Sequence, residues 1–407
     1  MHILVLNSGS SSLKFRVFDV QIDGGHPGKV HSLLGGSVTG IGRLGCLTLK
    51  DAESAEMSAE RPIHDHREAA EWLLPQIKKQ QIEAVGHRVV HGGERFRQPI
   101  RLTDTVIEEI EQLSELAPLH NPACLAAIRG TQVVFGSDVP MVAVFDTAFH
   151  KTMPAVSFTY ALPAELAGRH HVRRYGFHGI AHSSLVKGYV AATGKSLADA
   201  KLITLHLGNG CSATAIRSGQ SIDTSMGMTP LEGLVMGTRS GDLDPAVVAY
   251  LARKELVAAQ TVEQWLNDRS GLLGVSGVSN DVRSLMKAEA DGHTRAALAL
   301  DLFCHRARKY IGAYLAVLDG ADAVVFGGGI GENSAAIRER ICAGMQWCGL
   351  TLDQQRNETA VGLSPGQALP IGSHDAGLPA FVVAVDEETT IAQETVRCLK
   401  STPPDEA

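Results

Sequence analysis

The chain has no apolar run near the roughly 18 residues that a membrane-crossing helix needs. Its N-terminal apolar run covers only residues 3–6, with no basic segment before it. The expectation is a chain with neither a membrane anchor nor a secretory leader. Positive charge is also short, since 37 Lys and Arg against 44 Asp and Glu give a net charge of −7 and a pI near 6.2. Such a surface offers no field for a nucleic acid. Cysteines are seven, odd in number and without a CxxC pair, which argues against a disulfide framework and a zinc site. Aromatics make up only 5%, yet 44% hydrophobic and 20% charged is an ordinary globular balance. At 407 residues the chain exceeds one ordinary core and suits two domains. The expected setting is the cytoplasm, with no membrane and no nucleic acid as partner.

Glycine is what the sequence has in quantity, 42 residues gathered in short loops between apolar runs. The pattern predicts a strand over 3–6, a polar turn over 7–12 and a second strand over 13–20. A comparable unit returns two hundred residues later, with strands over 202–207 and 213–217 around a turn at 208–212. Two such units hint at a duplicated domain, although two ordinary hairpins would look the same. Further strands are expected over 84–90, 141–145 and 323–326, and helices over 69–80, 104–116, 246–254, 295–318 and 389–399. That alternation implies an α/β architecture with helices on both sheet faces. A domain break is expected near 150–154. The first domain would then cover 1–150, with the terminal segment 386–407 packing back on it, and the second would cover 151–385. The acidic end, 401–407, is expected to fray.

Two nucleotide signatures are imperfect. Thr193-Gly194-Lys195-Ser196 resembles the end of a phosphate-binding loop, but Tyr189 stands where the first glycine belongs and the preceding residues read as helix. Gly329-Ile330-Gly331-Glu332-Asn333-Ser334 follows a strand and opens a helix, as a degraded dinucleotide fingerprint would. Its glycines let backbone N–H groups approach an anion, or simply make a close turn. Asn7-Ser8-Gly9-Ser10-Ser11-Ser12-Leu13-Lys14 packs hydroxyls, a glycine and a lysine behind a strand, and His206-Leu207-Gly208-Asn209-Gly210-Cys211-Ser212 nearly duplicates it. Each is either a plain turn or a phosphate cradle, and two together favour the cradle. In the first, Asn7 is a candidate magnesium ligand.

Arginines recur beside glycines in Gly86-His87-Arg88-Val89-Val90-His91-Gly92-Gly93-Glu94, Arg173-Arg174-Tyr175-Gly176-Phe177-His178-Gly179 and Gly237-Thr238-Arg239-Ser240-Gly241-Asp242. A guanidinium fork matches both oxygens of a carboxylate or phosphate. Asp146 follows a strand, where α/β active sites form, though a helix cap is an equal use for it. No covalent nucleophile triad is evident. Phosphoryl transfer needs positioning and charge neutralisation more than covalent chemistry.

These motifs, with Ala117-Pro118-Leu119-His120-Asn121-Pro122 and the long block 223–245, run in order over nearly the whole chain. Together they closely resemble the acetate kinase family. The resemblance implies a duplicated ribonuclease H-like fold of the actin, Hsp70 and sugar kinase type, with the active site in the interdomain cleft. It implies reversible, direct in-line transfer between ATP plus acetate and ADP plus acetyl phosphate. Mg²⁺ would be needed, with Mn²⁺ able to replace it. It further implies a homodimer whose second domain binds the nucleotide and dimerises.

Residue by residue, Asp146, His178 and Arg239 match catalytic positions, and Asn7 with Glu387 the metal positions. Arg88 matches the carboxylate-binding arginine, and Val90, Leu119, Phe177 and Pro230 a small apolar pocket. Lys14, His206, Leu207, Gly208, Asn209, Gly210, Asp281, Val282, Arg283, Gly329, Ile330, Gly331, Glu332 and Asn333 match nucleotide contacts. Ser10, Ser12 and His120 are further phosphate-side candidates. The sequence departs from the family pattern at Gly179-Ile180-Ala181-His182, Met228, Gly327-Gly328 and Asp386. Met228 lies near the pocket wall and bears on substrate size. A propionate kinase of the same family is the nearest alternative. A non-enzymatic ATP-dependent binding module would need a further domain after the last helix. A nicotinamide oxidoreductase would leave the arginines unexplained.

Overall fold

The computed structural model describes residues 1–401 apart from Ser10, 52–56, 78–79, Leu119 and Asp199. The expected roles of Ser10 and Leu119, and most of the expected frayed end, fall outside the described residues. Packing divides the chain into two units, Met1–Ala148 with Asp386–Ala407, and Phe149–Val385.

In the first unit lie β1 (His2–Ser8), β2 (Ser12–Asp23), β3 (His26–Thr39), β4 (Arg43–Asp51), β5 (Met57–Ile63), β6 (Ala84–Val89), β7 (Ile100–Arg101) and β8 (Met141–Phe145). They form one sheet in the order β5-β4-β3-β2-β1-β6-β8-β7. In the second unit lie β9 (Lys201–Leu207), β10 (Cys211–Arg217), β11 (Gln220–Thr224), β12 (Ala323–Gly327), β13 (Ala368–Pro370) and β14 (Ala380–Val383). Their order is β11-β10-β9-β12-β14-β13.

The duplication shows in these orders. The run β3-β2-β1-β6-β8 corresponds to β11-β10-β9-β12-β14. In each, a central strand pairs antiparallel with its hairpin partner and parallel with the strand on its other side. β1 and β9 are buried along nearly their whole lengths, which is why both read as continuous apolar runs and not as alternation. In the first unit Leu4, Leu6, Phe15 and Val17 pack with Leu73, Leu74 and Ile77 of the helix His66–Ile77. In the second, Leu185 and Tyr189 of the helix Gly179–Thr193 pack with Leu202, Val325 and Val383.

One local expectation changes and one reading holds. β1 continues through Asn7 and Ser8, which pair with Lys14 and Leu13, so these two residues leave the expected turn. Asn7 is therefore a strand residue with a fixed side-chain direction. The segment at Thr193–Ser196 is the end of a helix, with Gly194 in the left-handed conformation at φ 66°. That is a helix C-terminus and no phosphate loop.

The last helix, Glu387–Lys400, begins where Asp386 accepts a hydrogen bond from the Thr389 N–H at 3.1 Å. Glu387 and Glu388 lie in its first turn and Arg397 and Lys400 in its last, the arrangement the helix dipole favours. It packs against β1, β6 and β8. Gly86 permits that approach, because a Cβ there would stand 2.3 Å from Thr395 Oγ1 and 2.8 Å from Ile391 Cγ2. Among the described residues no helix is long and apolar enough to cross a membrane.

Candidate active site

The three parallel strands β1, β6 and β8 run side by side in register, Leu6 beside His87 and Arg88 beside Val144. Their carboxyl ends therefore bring Asn7, Arg88 and Asp146 together, where open α/β sheets hold ligands. The Arg88 fork closes on Asp146, with Nε 3.2 Å from each carboxylate oxygen and Nη2 2.5 Å from Oδ2. Nη1 of Arg88 donates to Asn7 Oδ1 at 3.0 Å, and Asn7 Nδ2 donates to Glu387 Oε2 at 2.8 Å. Asp146 is 1% exposed. Burial pulls the Arg88 pKa down, but Asp146 and Glu387 outweigh it and raise it above the usual value. Arg88 thus stays charged among two carboxylates.

The loop after β6 is fixed from behind. Asn121 accepts from the His91 N–H and donates to the His91 carbonyl, both at 3.1 Å, and Thr147 Oγ1 accepts from the Gly92 N–H at 3.1 Å. Val90 is buried there, and His120 is the residue before the helix Asn121–Phe135. Lys14 lies on β2 opposite Asn7, exposed, and Ser12 opens the same strand.

In the second unit, His178 and Arg239 meet at Gly210. A Cβ on Gly210 would lie 3.2 Å from His178 Cε1, 3.3 Å from its Nε2 and 3.7 Å from Arg239 Nη1. Gly210 is absent from the positive-φ residues, so its glycine serves space beside those two side chains and not backbone freedom. His178 itself is left-handed at φ 57°, a strained conformation of the kind that collects at functional sites. Its ring lies 4.6 Å from that of His206, centroid to centroid. Arg239 Nη1 donates to the Pro230 carbonyl at 3.1 Å. Burial lowers its pKa, opposed by Cys211 and Asp268. Phe177 is buried, its carbonyl 2.9 Å from His150 Nε2.

The other clustered arginines are structural. Arg174 donates to the carbonyls of Thr224, Ser225 and Met226 at 3.0–3.1 Å and pairs with Glu232 at 2.6 Å. Arg173 lies over the Phe158 ring at 3.6 Å. They hold the segment carrying Met228, whose N–H donates to Tyr160 Oη at 3.0 Å. Asp386, a departure from the family pattern, works as a cap that Asn would also provide.

A cavity of about 540 Å³ opens in the second unit, lined by Gly208, Asn209, Asp281, Val282, Arg283, Gly329, Ile330 and Asn333, together with Asn280 and Ser334. Eight of the expected nucleotide contacts thus share one cavity, beside the turn that carries Gly210. Asn280 and Ser334 adjoin expected segments; Asn280 Nδ2 donates to Asn209 Oδ1 at 3.1 Å. Leu207 and Gly331 are buried behind this wall. Glu332, also among the expected contacts, has its carboxylate engaged within the loop. Its Oε1 accepts from the Gly328 N–H at 2.9 Å and the Val385 N–H at 3.0 Å, tying the loop to the end of β14.

Asn7 and Glu387 meet the requirements of a magnesium site in donor type. Each carries a hard oxygen, with Asn7 turning its Oδ1 to Arg88 and its Nδ2 to Glu387; Mg²⁺ takes one or two protein carboxylates while keeping waters and phosphate oxygens. Among the described residues no group of three or more His, Cys, Asp or Glu is placed to hold a metal.

Buried neutral histidines surround both clusters. Burial lowers the pKa of His87 to about 3 and of His150 to about 4, and His182 lies well below its ordinary value for the same reason. Unfolded, each would titrate near 6.5. Between those values the unfolded chain binds the extra proton, so stability is full above about pH 6.5 and falls as pH drops through that window. His87, whose Nε2 has no hydrogen-bond partner, gives the test. His87→Leu should reduce the pH slope of stability by about one proton, ~1.4 kcal/mol per pH unit near pH 5. Urea midpoints at pH 7, 6 and 5 measure it; an unchanged slope contradicts the assignment.

A model of the acetokinase family matches residues 2–393. The acetate kinase of Chloroherpeton thalassium is 45% identical over 416 residues, covering 98% of this chain and 99% of that protein. A crystal structure of Porphyromonas gingivalis acetate kinase superposes with a TM-score of 0.87 at 38% identity, covering 98% of this chain and 99% of its own. A propionate kinase from Francisella tularensis gives 0.87 at 39% identity, covering 97% and 98%.

Proposed function

The chain belongs to the acetokinase family, and from that premise we propose that it is an acetate kinase, moving the γ-phosphoryl group of ATP reversibly onto acetate to give acetyl phosphate and ADP. One observation carries the reading: the family match over residues 2–393 includes every member of both side-chain clusters and the whole cavity.

In this reading ATP occupies the cavity lined by Asn209, Asp281 and Gly329, with the turn at Gly208–Gly210 against its phosphates. Arg88 holds the acid's carboxylate, oriented by Asp146 and Asn7 at the ends of β6, β8 and β1. A carboxylate attacking a polyphosphate must overcome repulsion between anions, and paired arginines answer that need. His178 and Arg239 donate to the equatorial oxygens of the phosphoryl group in flight, where charge accumulates. Mg²⁺, held by Glu387 and Asn7, supplies charge screening on the phosphates when bound. Mn²⁺ fits the same oxygen donors. The reading includes a cytoplasmic homodimer whose second unit dimerises, and Lys14, Ser12 and His120 on the phosphate side. EDTA should abolish turnover and Mg²⁺ restore it; full activity without divalent ions would remove Asn7 and Glu387 from the site.

Trapping the acyl phosphate as hydroxamate across formate, acetate, propionate and butyrate tests the substrate. Acetate should give the highest kcat/KM. A maximum at propionate would favour the propionate kinase reading, which the Francisella relative and Met228 keep in play. Val90, Phe177 and Pro230 are the proposed apolar wall. Val90→Ala should lower the propionate KM relative to acetate by an amount worth about 1 kcal/mol, roughly fivefold. An unchanged ratio would take Val90 out of the pocket.

A further inference from the structure

His178 is the fourth residue before His182, and the first turn of the helix Gly179–Thr193 ties them, the His182 N–H donating to the His178 carbonyl at 2.9 Å. The two residues therefore sit one turn apart, His178 at the cap and His182 within the helix. Ser212, near the start of β10, stands between them, its Oγ 2.9 Å from His178 Nδ1 and 2.8 Å from His182 Nε2. Beyond it, His182 Nδ1 lies 2.7 Å from Thr204 Oγ1 on β9. Ser212, His182 and Thr204 are each 0% exposed. Four side chains from one helix and two strands thus form a continuous line of hydrogen bonds ending at the imidazole assigned to the phosphoryl group.

Resting on that assignment, we propose that Ser212, His182 and Thr204 are positioning residues that keep a proton on His178 Nε2 whatever the charge of its ring. Proton counting leads there. A hydroxyl carries one hydrogen, so Ser212 can donate to only one of its two imidazole neighbours and must accept from the other. His182, kept neutral by burial, has a single N–H. The line therefore runs in one direction or the other. When it runs toward His178, the Thr204 hydroxyl donates to His182 Nδ1, His182 Nε2–H donates to Ser212, and the Ser212 hydroxyl donates to His178 Nδ1. A neutral His178 then carries its proton on Nε2, the nitrogen beside Gly210 and Arg239. When His178 is an imidazolium, both hydroxyls turn round and His182 takes its Nδ1–H tautomer, so that Ser212 accepts from His178 Nδ1–H and donates to His182 Nε2; His178 Nε2 still carries a proton. The reverse line with a neutral His178 would aim a lone pair at an anion, so an anion beside Nε2 favours the line that runs toward His178.

The groups facing this line are His206 and Arg239 beside His178, and His150, whose ring is 5.9 Å from that of His182. His150 is itself tied to Ser221 and the Phe177 carbonyl. The strained left-handed backbone at His178 also has a use here, since it turns the residue out of the helix while His182 stays in it.

The test is a double-mutant cycle, which isolates action through a neighbour. Ser212→Ala should lower kcat by about tenfold or more, as loss of a supporting hydrogen bond to a functional histidine does, with KM for ATP and acetate changed less than about twofold. In a His178→Ala background the same substitution should have no further effect on kcat. Ser212→Thr, which keeps the hydroxyl, should recover most of the rate. Unfolding curves identify a variant that has not folded, and Ser212→Cys, a near-isostere with a weak donor, then takes its place. Equal losses in both backgrounds, or no loss in the first, overturn the proposal. One readout needs no activity: ring ¹⁵N shifts of His178, assigned by difference from His178→Ala, should report Nε2–H in the neutral form. A neutral Nδ1–H form overturns the relay even in an active kinase. A wild-type protein that makes no acetyl phosphate overturns the function while leaving this readout in force.

Discussion

Arg239→Ala should lower kcat by about 10²–10³, with far smaller changes in the KM of either substrate. The guanidinium is already anchored before substrate arrives. Its Nη1 reaches the Pro230 carbonyl at 3.1 Å, and its backbone carbonyl accepts from the Met236 N–H at 3.2 Å. Burial works against its charge and lowers its pKa. Donors fixed in advance lose no reorganisation energy when charge builds on the transferring group. A group that binds ground state and transition state alike would raise KM instead. Arg239→Lys should restore activity only in part, because an ammonium is a point charge and cannot reproduce a fork. Steady-state kinetics on folded variants, checked by circular dichroism, decide the matter. Wild-type kcat in Arg239→Ala would move the burden to Arg88, Lys14 and the metal.

The sequence made Asp146 and the loop after β12 legible because each follows an element whose pattern is strong. β8 and β12 are short, wholly buried apolar runs, so Asp146 and the glycine loop after β12 follow from them almost directly. The duplicated hairpins were visible for the same reason, since β1, β9 and β10 are buried along nearly their whole lengths and β2 alternates in its first half. What stayed hidden has different chemistry. β3 carries Gly35-Gly36 and few buried residues, and β5 is exposed at six of its seven positions, so neither shows an apolar period. An edge strand is specified by its partner's ladder, which one stretch of sequence does not display. The resemblance placed Glu332 among the nucleotide contacts, and the two backbone N–H groups its carboxylate accepts could not be seen before the fold. The line behind His178 was hidden because only the fold brings Ser212 and Thr204 to the helix, although the four-residue spacing of His178 and His182 could have paired the rings.

Arg88→Ala should behave unlike Arg239→Ala in two respects. The acetate KM should rise, because a contact to the ground-state carboxylate is lost along with any in the transition state. Stability should also fall by about 3–5 kcal/mol, since removing one member of a buried pair strands the other charge. Asp146 is 1% exposed, and the fork of Arg88 spans both its oxygens. The pair alone is weak evidence for net stabilisation, because desolvating two charges offsets much of their attraction. The prediction therefore concerns the charge left behind. Asp146→Asn removes that charge at nearly constant volume. Arg88→Ala combined with Asp146→Asn should then be more stable than Arg88→Ala alone, by a large part of the original loss, while remaining inactive. Denaturant unfolding of the single and double variants measures the difference. A double variant no more stable than Arg88→Ala would mean that the loss comes from packing of the arginine stem, and that the Asp146 carboxylate is solvated once its partner is gone.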